Sequence, residues 1–307
     1  MSDDKGGRKR IIVIAGPTAS GKTRLAVALA QRLGAPILSA DSRQVYRELD
    51  IGVAKPTAAE LAAAEHHLIS YVSVDEDYSA GRWARDATAT LELLFELHDV
   101  CIVAGGSGLH VRALLEGIPD MPAVPEDTRA RYEDLYRRRG IASLQDLLRE
   151  RDPAYAAVVD LANPHRLQRA LAAMDASGET FTALRARPHH PLPYRADWVV
   201  LEPDRETLYA QIDRRVERMF AAGLVEEARG LSPKRHLDAL QTIGYREVWP
   251  LLDGEVDEAA AVSAVQRATR RYARRQMTWN RRLGGLRLDG PDADAVLAHL
   301  GLPSALP

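Results

Sequence analysis

Residues 11–30, "IIVIAGPTASGKTRLAVALA", decide how this chain is read. Five apolar residues run into a glycine-bounded turn, and a helical pattern follows. The turn, Gly16-Pro17-Thr18-Ala19-Ser20-Gly21-Lys22-Thr23, satisfies G-x-x-x-x-G-K-[ST] at every required position. Such a loop aims backbone N–H groups at phosphate oxygens from a helix N-terminus, and its lysine adds charge. Lys22 is expected to reach phosphate oxygens, with the Thr23 hydroxyl placed for a Mg²⁺ ion; Thr18 and Ser20 offer further hydroxyls. The loop alone leaves open whether the ligand is a nucleotide or another phosphorylated compound.

Outward from this stretch, short β-branched runs at 10–16, 35–40, 99–106 and 197–204 read as buried strands. Helical patterns fall at 22–33, 58–64 and 80–97, so strands and helices alternate. That alternation predicts a parallel α/β sheet of the P-loop NTPase-like kind, flanked by helices. Residues 121–196 differ: proline-rich hinges bound helical patterns at about 126–139, 143–150 and 164–176, with nothing strand-like. We expect an all-helical domain inserted into a core formed by 1–120 and 197–307. Further helices are predicted at 205–222, 225–230 and 257–281, with a short one at the end.

The 307 residues carry 41 basic and 43 acidic side chains, net −2, which gives no global pull toward nucleic acid or membrane. The polar start "MSDDKGGRKR" is expected to fray, and no apolar run suits a signal peptide or membrane span. Cys101, the single cysteine, lies in "DVCIVAGG" and is expected to be a small buried hydrophobe. A chain that cannot form an internal disulfide suits a reducing cytoplasm.

Three constellations gather around the loop. Asp41 follows the second strand, on the sheet edge that carries the phosphate loop, where it is a candidate general base. Ser42, Arg43, Gln44 and Tyr46 add polar groups beside it. The third strand ends in "AGGSGLHVRALLEG", whose glycines suggest close backbone approach to a ligand. The late stretch 261–285 carries Arg267, Arg270, Arg271, Arg274, Arg275, Arg281 and Arg282, with no acidic residue between Glu258 and Asp289. With Tyr272 and Trp279 among them, these arginines suit a polyanion that also offers bases for stacking. On this feature alone a solvated basic face serves as well. The pairs His66-His67 and His189-His190 lack completing ligands and are assigned no metal.

Taken together, "GPTASGKT", "DS" followed by "DIGVAKP", "GGSGLHVRALLEG", "QTIGYRE" and "RRQMTW" resemble, in order and spacing, the tRNA dimethylallyltransferases, also called tRNA isopentenyltransferases. The resemblance runs from about residue 10 to 285. It implies that Gly16 to Thr23 hold the pyrophosphate of dimethylallyl diphosphate, and that the prenyl group moves to the N6 amine of adenosine 37 in a tRNA anticodon stem-loop. Asp41 would accept the amine proton. Lys22, Thr23 with Mg²⁺, and Arg215 would neutralise the leaving group, with Thr18 close to the reacting centre. The residues implied for tRNA are Asp41, Ser42, Arg43 and Gln44, then Ser107 and Arg129, then His165, Arg166, Leu167, Gln168 and Arg169. Later in the chain they are Gln241, Thr242, Ile243, Gly244, Tyr245 and Arg246, with Arg274, Arg275, Gln276, Met277, Thr278, Trp279, Asn280 and Arg281.

Departures from the family pattern are Ser107 for a common threonine, His110 for a usual tyrosine, and Asn280 for an apolar or aromatic residue. No membrane or obligatory protein partner is expected, and a monomer is the simplest state. Two rivals share parts of the pattern. A P-loop kinase for a small molecule or nucleotide could use "RARYEDLYRRRG" as a lid but has no need of the late arginine helix. A non-catalytic RNA-binding protein would have no need of intact Lys22, Thr23 and Asp41.

Overall fold

The computed structural model describes residues 9–119, 121–189 and 191–303, so the polar start up to Arg8 and His190 of the second histidine pair lie outside the described residues. The chain divides into two compact units, 1–115 with 192–307, and 116–191. In the first unit six strands form one sheet: β1 Arg10–Ala15, β2 Ile37–Ser39, β3 His66–His67, β4 Val100–Ala104, β5 Arg195–Leu201 and β6 Leu286–Leu288. All neighbours pair in parallel, in the order β3-β2-β4-β1-β5-β6. The central strand β1 lines up Ile12 with Ile102 of β4 on one side and with Asp197 of β5 on the other.

Both faces of this sheet are covered, which is why its central strands read as unbroken apolar runs. Ile11 and Val13 of β1 join Leu38, Cys101 and Val103 in one core with Trp83, Leu91, Leu208 and Tyr245. Ile12 and Ile14 point the other way, into a second core with Leu25, Leu29, Ile102, Val199 and Leu201. Cys101 is fully buried, and burial pushes its thiol up to about 12, so it behaves as a hydrophobe. Helices Lys22–Leu33 and Ala80–Leu97 fall where the pattern predicted them. Two strands escaped the sequence reading. β3 has two polar residues and β6 has three residues, too few to show a period; each exists because a neighbouring strand offers its edge. β5 also starts at Arg195, two residues earlier than the apolar run suggested.

The second unit is helical: Glu126–Arg151, Pro153–Ala156, Pro164–Ser177 and Phe181–Ala186. Gly140, at φ 71°, breaks the first of these, which accounts for two separate helical patterns in the sequence. Leu144, Leu148, Leu167, Leu171, Met174, Phe181 and Leu184 form its own core. Asp175 gathers Arg131, Arg151 (2.7 Å) and the Tyr132 hydroxyl (2.7 Å), while Arg138 pairs with Asp134 (2.7 Å). Part of the basic run "RARYEDLYRRRG" is therefore neutralised inside the unit itself.

Candidate active site

Every connection that leaves a carboxyl end of the sheet contributes to one cleft of about 1440 Å³ in the first unit. β1 delivers the loop Thr18–Thr23, β2 delivers Asp41 and Gln44, and β4 delivers Gly105 and Gly106. Pro203 follows β5, and Asp289 to Pro291 follow β6. A parallel sheet places its ligand site at this edge because all strands end there together.

The loop is shaped for an anion. Gly21, at φ 92°, ends the turn in a conformation open to glycine and starts helix Lys22–Leu33, whose first turn holds no acidic residue. Gly16 has no room for a side chain: a Cβ there would stand 2.8 Å from Ser20 Oγ and 3.0 Å from the Leu201 carbonyl oxygen. Ser20 Oγ is buried without a hydrogen-bond partner among the described residues, on a loop that lines the cleft. An anion in the loop would give that hydroxyl an acceptor.

Lys22 Nζ donates to the carbonyls of Gly16 (3.0 Å) and Pro17 (2.7 Å), folding back over its own loop. Its pKa is pushed down to about 8, first by burial and then by the Arg215 guanidinium, while Asp41 acts in the opposite sense. Arg215, from helix Arg205–Ala221, donates to Thr18 Oγ1 at 3.3 Å and is likewise drawn below its ordinary value by burial. Two neighbouring enclosed cations, with the Asp41 carboxylate acting on both, suit a multiply charged anion. Asp41 Oδ1 accepts from the backbone N–H of Arg43 (2.9 Å) and of Gln44 (3.4 Å), which fixes the carboxylate in a turn.

The arginine-rich helix Glu258–Asn280 reaches this cleft through residues that are not arginines. Gln276 is buried, accepts from Thr18 N–H (2.8 Å) and donates from Nε2 to the Gly106 carbonyl (3.0 Å). It ties the phosphate loop to the glycine turn after β4. Gly106 is glycine for that reason, since a Cβ there would meet Gln276 Nε2 at 2.3 Å. Tyr272, one turn earlier, also lines the cleft, and burial pushes its hydroxyl up to about 12. Trp279 packs over Gly108, where a Cβ would stand 2.4 Å from the indole.

A second hub organises the segment "DIGVAKP". Glu227 accepts from the backbone N–H groups of Asp50 (3.1 Å), Ile51 (2.8 Å) and Gly52 (2.8 Å), and from the Tyr245 hydroxyl (2.6 Å). The Tyr245 ring lies against Gly52, where a Cβ would approach within 2.4 Å. Lys55, held by Asp50 at 2.7 Å, lines the cleft. No sequence motif singled out Glu227; only the backbone it serves reveals it.

Several residues named from sequence as tRNA contacts are turned inward. Leu167 belongs to the helical core, Tyr245 is occupied by Glu227, and Gln276 and Asn280 are buried on the inner side of their helix. Leu167, Tyr245 and Gln276 are taken up by contacts within the protein, Gln276 at the cleft wall, while Asn280 Nδ2 is buried with no hydrogen-bond partner among the described residues. Ser107 Oγ bonds His110 Nδ1 at 2.6 Å, and His110, stacked edge-on to Trp83, is pushed down to about 4 by burial. Burial therefore favours the neutral imidazole, a ring packed against Trp83. On surfaces open to solvent are Arg129, His165, Arg166 and Arg169 in the helical unit, and Gln241, Arg246, Arg274, Arg275, Thr278 and Arg281 in the sheet unit.

Among the described residues no group of three or more His, Cys, Asp or Glu could hold a metal. The cleft is lined by hard oxygen donors, among them the Thr23 hydroxyl and the carboxylates of Asp41, Asp50, Glu60, Glu217 and Asp289, a set that fits a divalent cation to which a phosphate ligand supplies further oxygens.

These features have close counterparts. The model of the IPP transferase family matches residues 44–283. The chain belongs to the IPP transferase family. It is similar to a tRNA dimethylallyltransferase of Cytophaga hutchinsonii, 42% identical over 88% of this chain and 89% of that protein. It is also similar to one of Anaeromyxobacter dehalogenans, 46% identical over 93% and 96%. Among solved structures, the tRNA isopentenylpyrophosphate transferase of Bacillus halodurans is 34% identical, with a TM-score of 0.68 over 95% of this chain and 94% of that one. A eukaryotic dimethylallyltransferase captured acting on tRNA shares the fold at 23% identity, with a TM-score of 0.79 over 95% and 77%. No described helix of this family member is long and apolar enough to cross a membrane.

Proposed function

We propose that this protein transfers a dimethylallyl group from dimethylallyl diphosphate to the N6 amine of adenosine 37 in the anticodon stem-loop of tRNA, releasing diphosphate. The observation that carries the proposal is one cleft in which a phosphate loop, two enclosed cations and Asp41 stand together.

The diphosphate occupies the loop Gly16 to Thr23, with Lys22 and Arg215 against its oxygens and Ser20 Oγ as a further donor. Mg²⁺ held beside the Thr23 hydroxyl would offset charge on the same oxygens. As the bond between the prenyl carbon and the diphosphate oxygen breaks, negative charge grows on the leaving group. Donors already fixed there stabilise it without reorganising, a large term in a dry site. The N6 nitrogen forms the new bond to carbon, and its proton passes to the Asp41 carboxylate. Arg215 holds Thr18 Oγ1 and Gln276 holds Thr18 N–H, and this fixing from two sides supports a role for Thr18 close to the reacting centre.

The adenine must leave its stack to enter the cleft, at a cost of a few kcal/mol that contacts elsewhere on the RNA offset. The Gln44 amide is held by Ser39 Oγ and the Ala54 carbonyl, so we assign those contacts to the exposed Gln241, Arg246, Arg274, Arg275, Thr278 and Arg281, with the half-buried Ser42, Arg43 and Thr242 beside them. In the helical unit they are Arg129, His165, Arg166 and Arg169. The protein works as a cytoplasmic monomer. Incubation with dimethylallyl diphosphate, Mg²⁺ and unmodified tRNA, followed by nucleoside mass analysis, is expected to give N6-prenylated adenosine. ATP, the donor a kinase needs, is expected not to displace dimethylallyl diphosphate. Transfer of phosphate from ATP, with no prenylated nucleoside, would refute the proposal.

A further inference from the structure

Helices Arg205–Ala221 and Glu258–Asn280 pack together and, among the described residues, line another hollow besides the reaction cleft. The other, of about 210 Å³, is ringed by Arg205, Arg267, Arg270, Arg271 and Arg274 around Tyr209. None of these residues lines the reaction cleft. Arg267, Arg270, Arg271 and Arg274 are spaced three, four and seven apart and make one stripe, whereas Tyr272 and Gln276 face the cleft from another side of the same helix.

The hollow is ordered as well as charged. The Arg205 and Arg270 guanidinium groups lie over the Tyr209 ring at 5.2 and 5.8 Å, and Arg205 Nε donates to the Tyr209 hydroxyl at 3.2 Å. Asp213 neutralises Arg270. Arg267, Arg271 and Arg274 are exposed and have no carboxylate partner among the described residues. Like charges brought this close raise each other's energy unless an anion joins them. Guanidinium forks match phosphate oxygens in pairs.

We propose that this hollow holds backbone phosphates of the RNA substrate, as an anchoring surface separate from the diphosphate cradle. The stripe from Arg267 to Arg274 extends about 10 Å along the helix axis, so it can meet more than one phosphate of a strand. A free diphosphate would need only one point of it. The inference rests on the transferase reading, and it makes the arginine helix two-sided: its buried face orders the reaction site and its exposed face holds the polymer.

The test compares wild type with Arg267→Ala/Arg271→Ala, two exposed positions outside the reaction cleft. Unmodified tRNA binding is measured by filter retention between 0.05 and 0.2 M salt, and inorganic diphosphate binding by calorimetry. We expect roughly tenfold weaker tRNA binding and a salt slope flattened by about 1.5, as for two lost phosphate contacts, with diphosphate binding unchanged. The pair Arg267→Lys/Arg271→Lys should keep most of the slope, because the charge remains. Unchanged tRNA affinity and slope in the alanine variant would overturn the inference, as would a lysine pair as defective as the alanine pair. Lost diphosphate binding in the alanine variant would overturn it too, by making the hollow a small-anion site. Wild-type prenyl transfer is assayed alongside. Transfer with unaffected variant binding removes only the anchoring surface. A binding defect in a protein that transfers nothing removes only the transferase reading.

Discussion

Replacing Gln276 separates the two consequences of its position. Its Nε2 and Lys22 Nζ stand 2.3 and 3.9 Å from the point where a Gly106 Cβ would be, so the two nitrogens are within about 6 Å of each other. In Gln276→Glu the acceptor for Thr18 N–H is kept, but a carboxylate replaces the amide beside Lys22. Unit charges about 6 Å apart at an effective dielectric of about 20 interact by roughly 3 kcal/mol. That energy corresponds to about a hundredfold in an equilibrium constant. The new carboxylate would draw the Lys22 titration back toward the ordinary lysine range and repel an incoming diphosphate. We expect calorimetric diphosphate affinity to fall between tenfold and a hundredfold. Gln276→Leu removes both hydrogen bonds and adds no charge. Thr18 N–H and the Gly106 carbonyl would each lose a partner, at about 1–3 kcal/mol apiece. Urea denaturation should therefore show a loss of about 2–6 kcal/mol, less where cleft water reaches the freed groups. A glutamate variant that binds diphosphate like wild type, or a leucine variant of wild-type stability, would refute the bridging account.

Lys22, pushed down to about 8, must be protonated to hold an anion, and a bound diphosphate raises its pKa. Diphosphate affinity should thus be full below about pH 8 and fall as pH rises through that value, with proton uptake on binding near pH 8 in calorimetry across buffers; affinity flat from pH 7 to 9.5 would contradict this. Asp41→Asn should bind both substrates and lose about 10² to 10⁴ in single-turnover rate, the usual cost of a missing general base. Near-normal chemistry would remove Asp41 from the mechanism. Tyr245→Phe deletes a hydrogen bond to the Glu227 carboxylate and should cost about 1.5–3 kcal/mol in chemical denaturation. An unchanged midpoint would show that the Glu227 hub stands without it.

The sequence by itself determined the α/β architecture, the phosphate loop and the place of Asp41, because each depends on local order. A buried parallel strand needs a continuous apolar run. The loop needs glycines and a lysine at fixed spacing, and a helical insertion shows its own period between proline hinges. Strands β3 and β6 were not legible, since two or three residues carry no period and their pairing belongs to the neighbouring edge. The orientation of the late helix was also undecided by sequence. Its arginines dominate the composition, yet Gln276 and Tyr272 face the cleft while Tyr245 and Glu227 fasten a loop far away in the chain. Only tertiary structure decides such matters, because a side chain's role follows from which distant backbone groups need a partner, and burial leaves those groups no water to use instead.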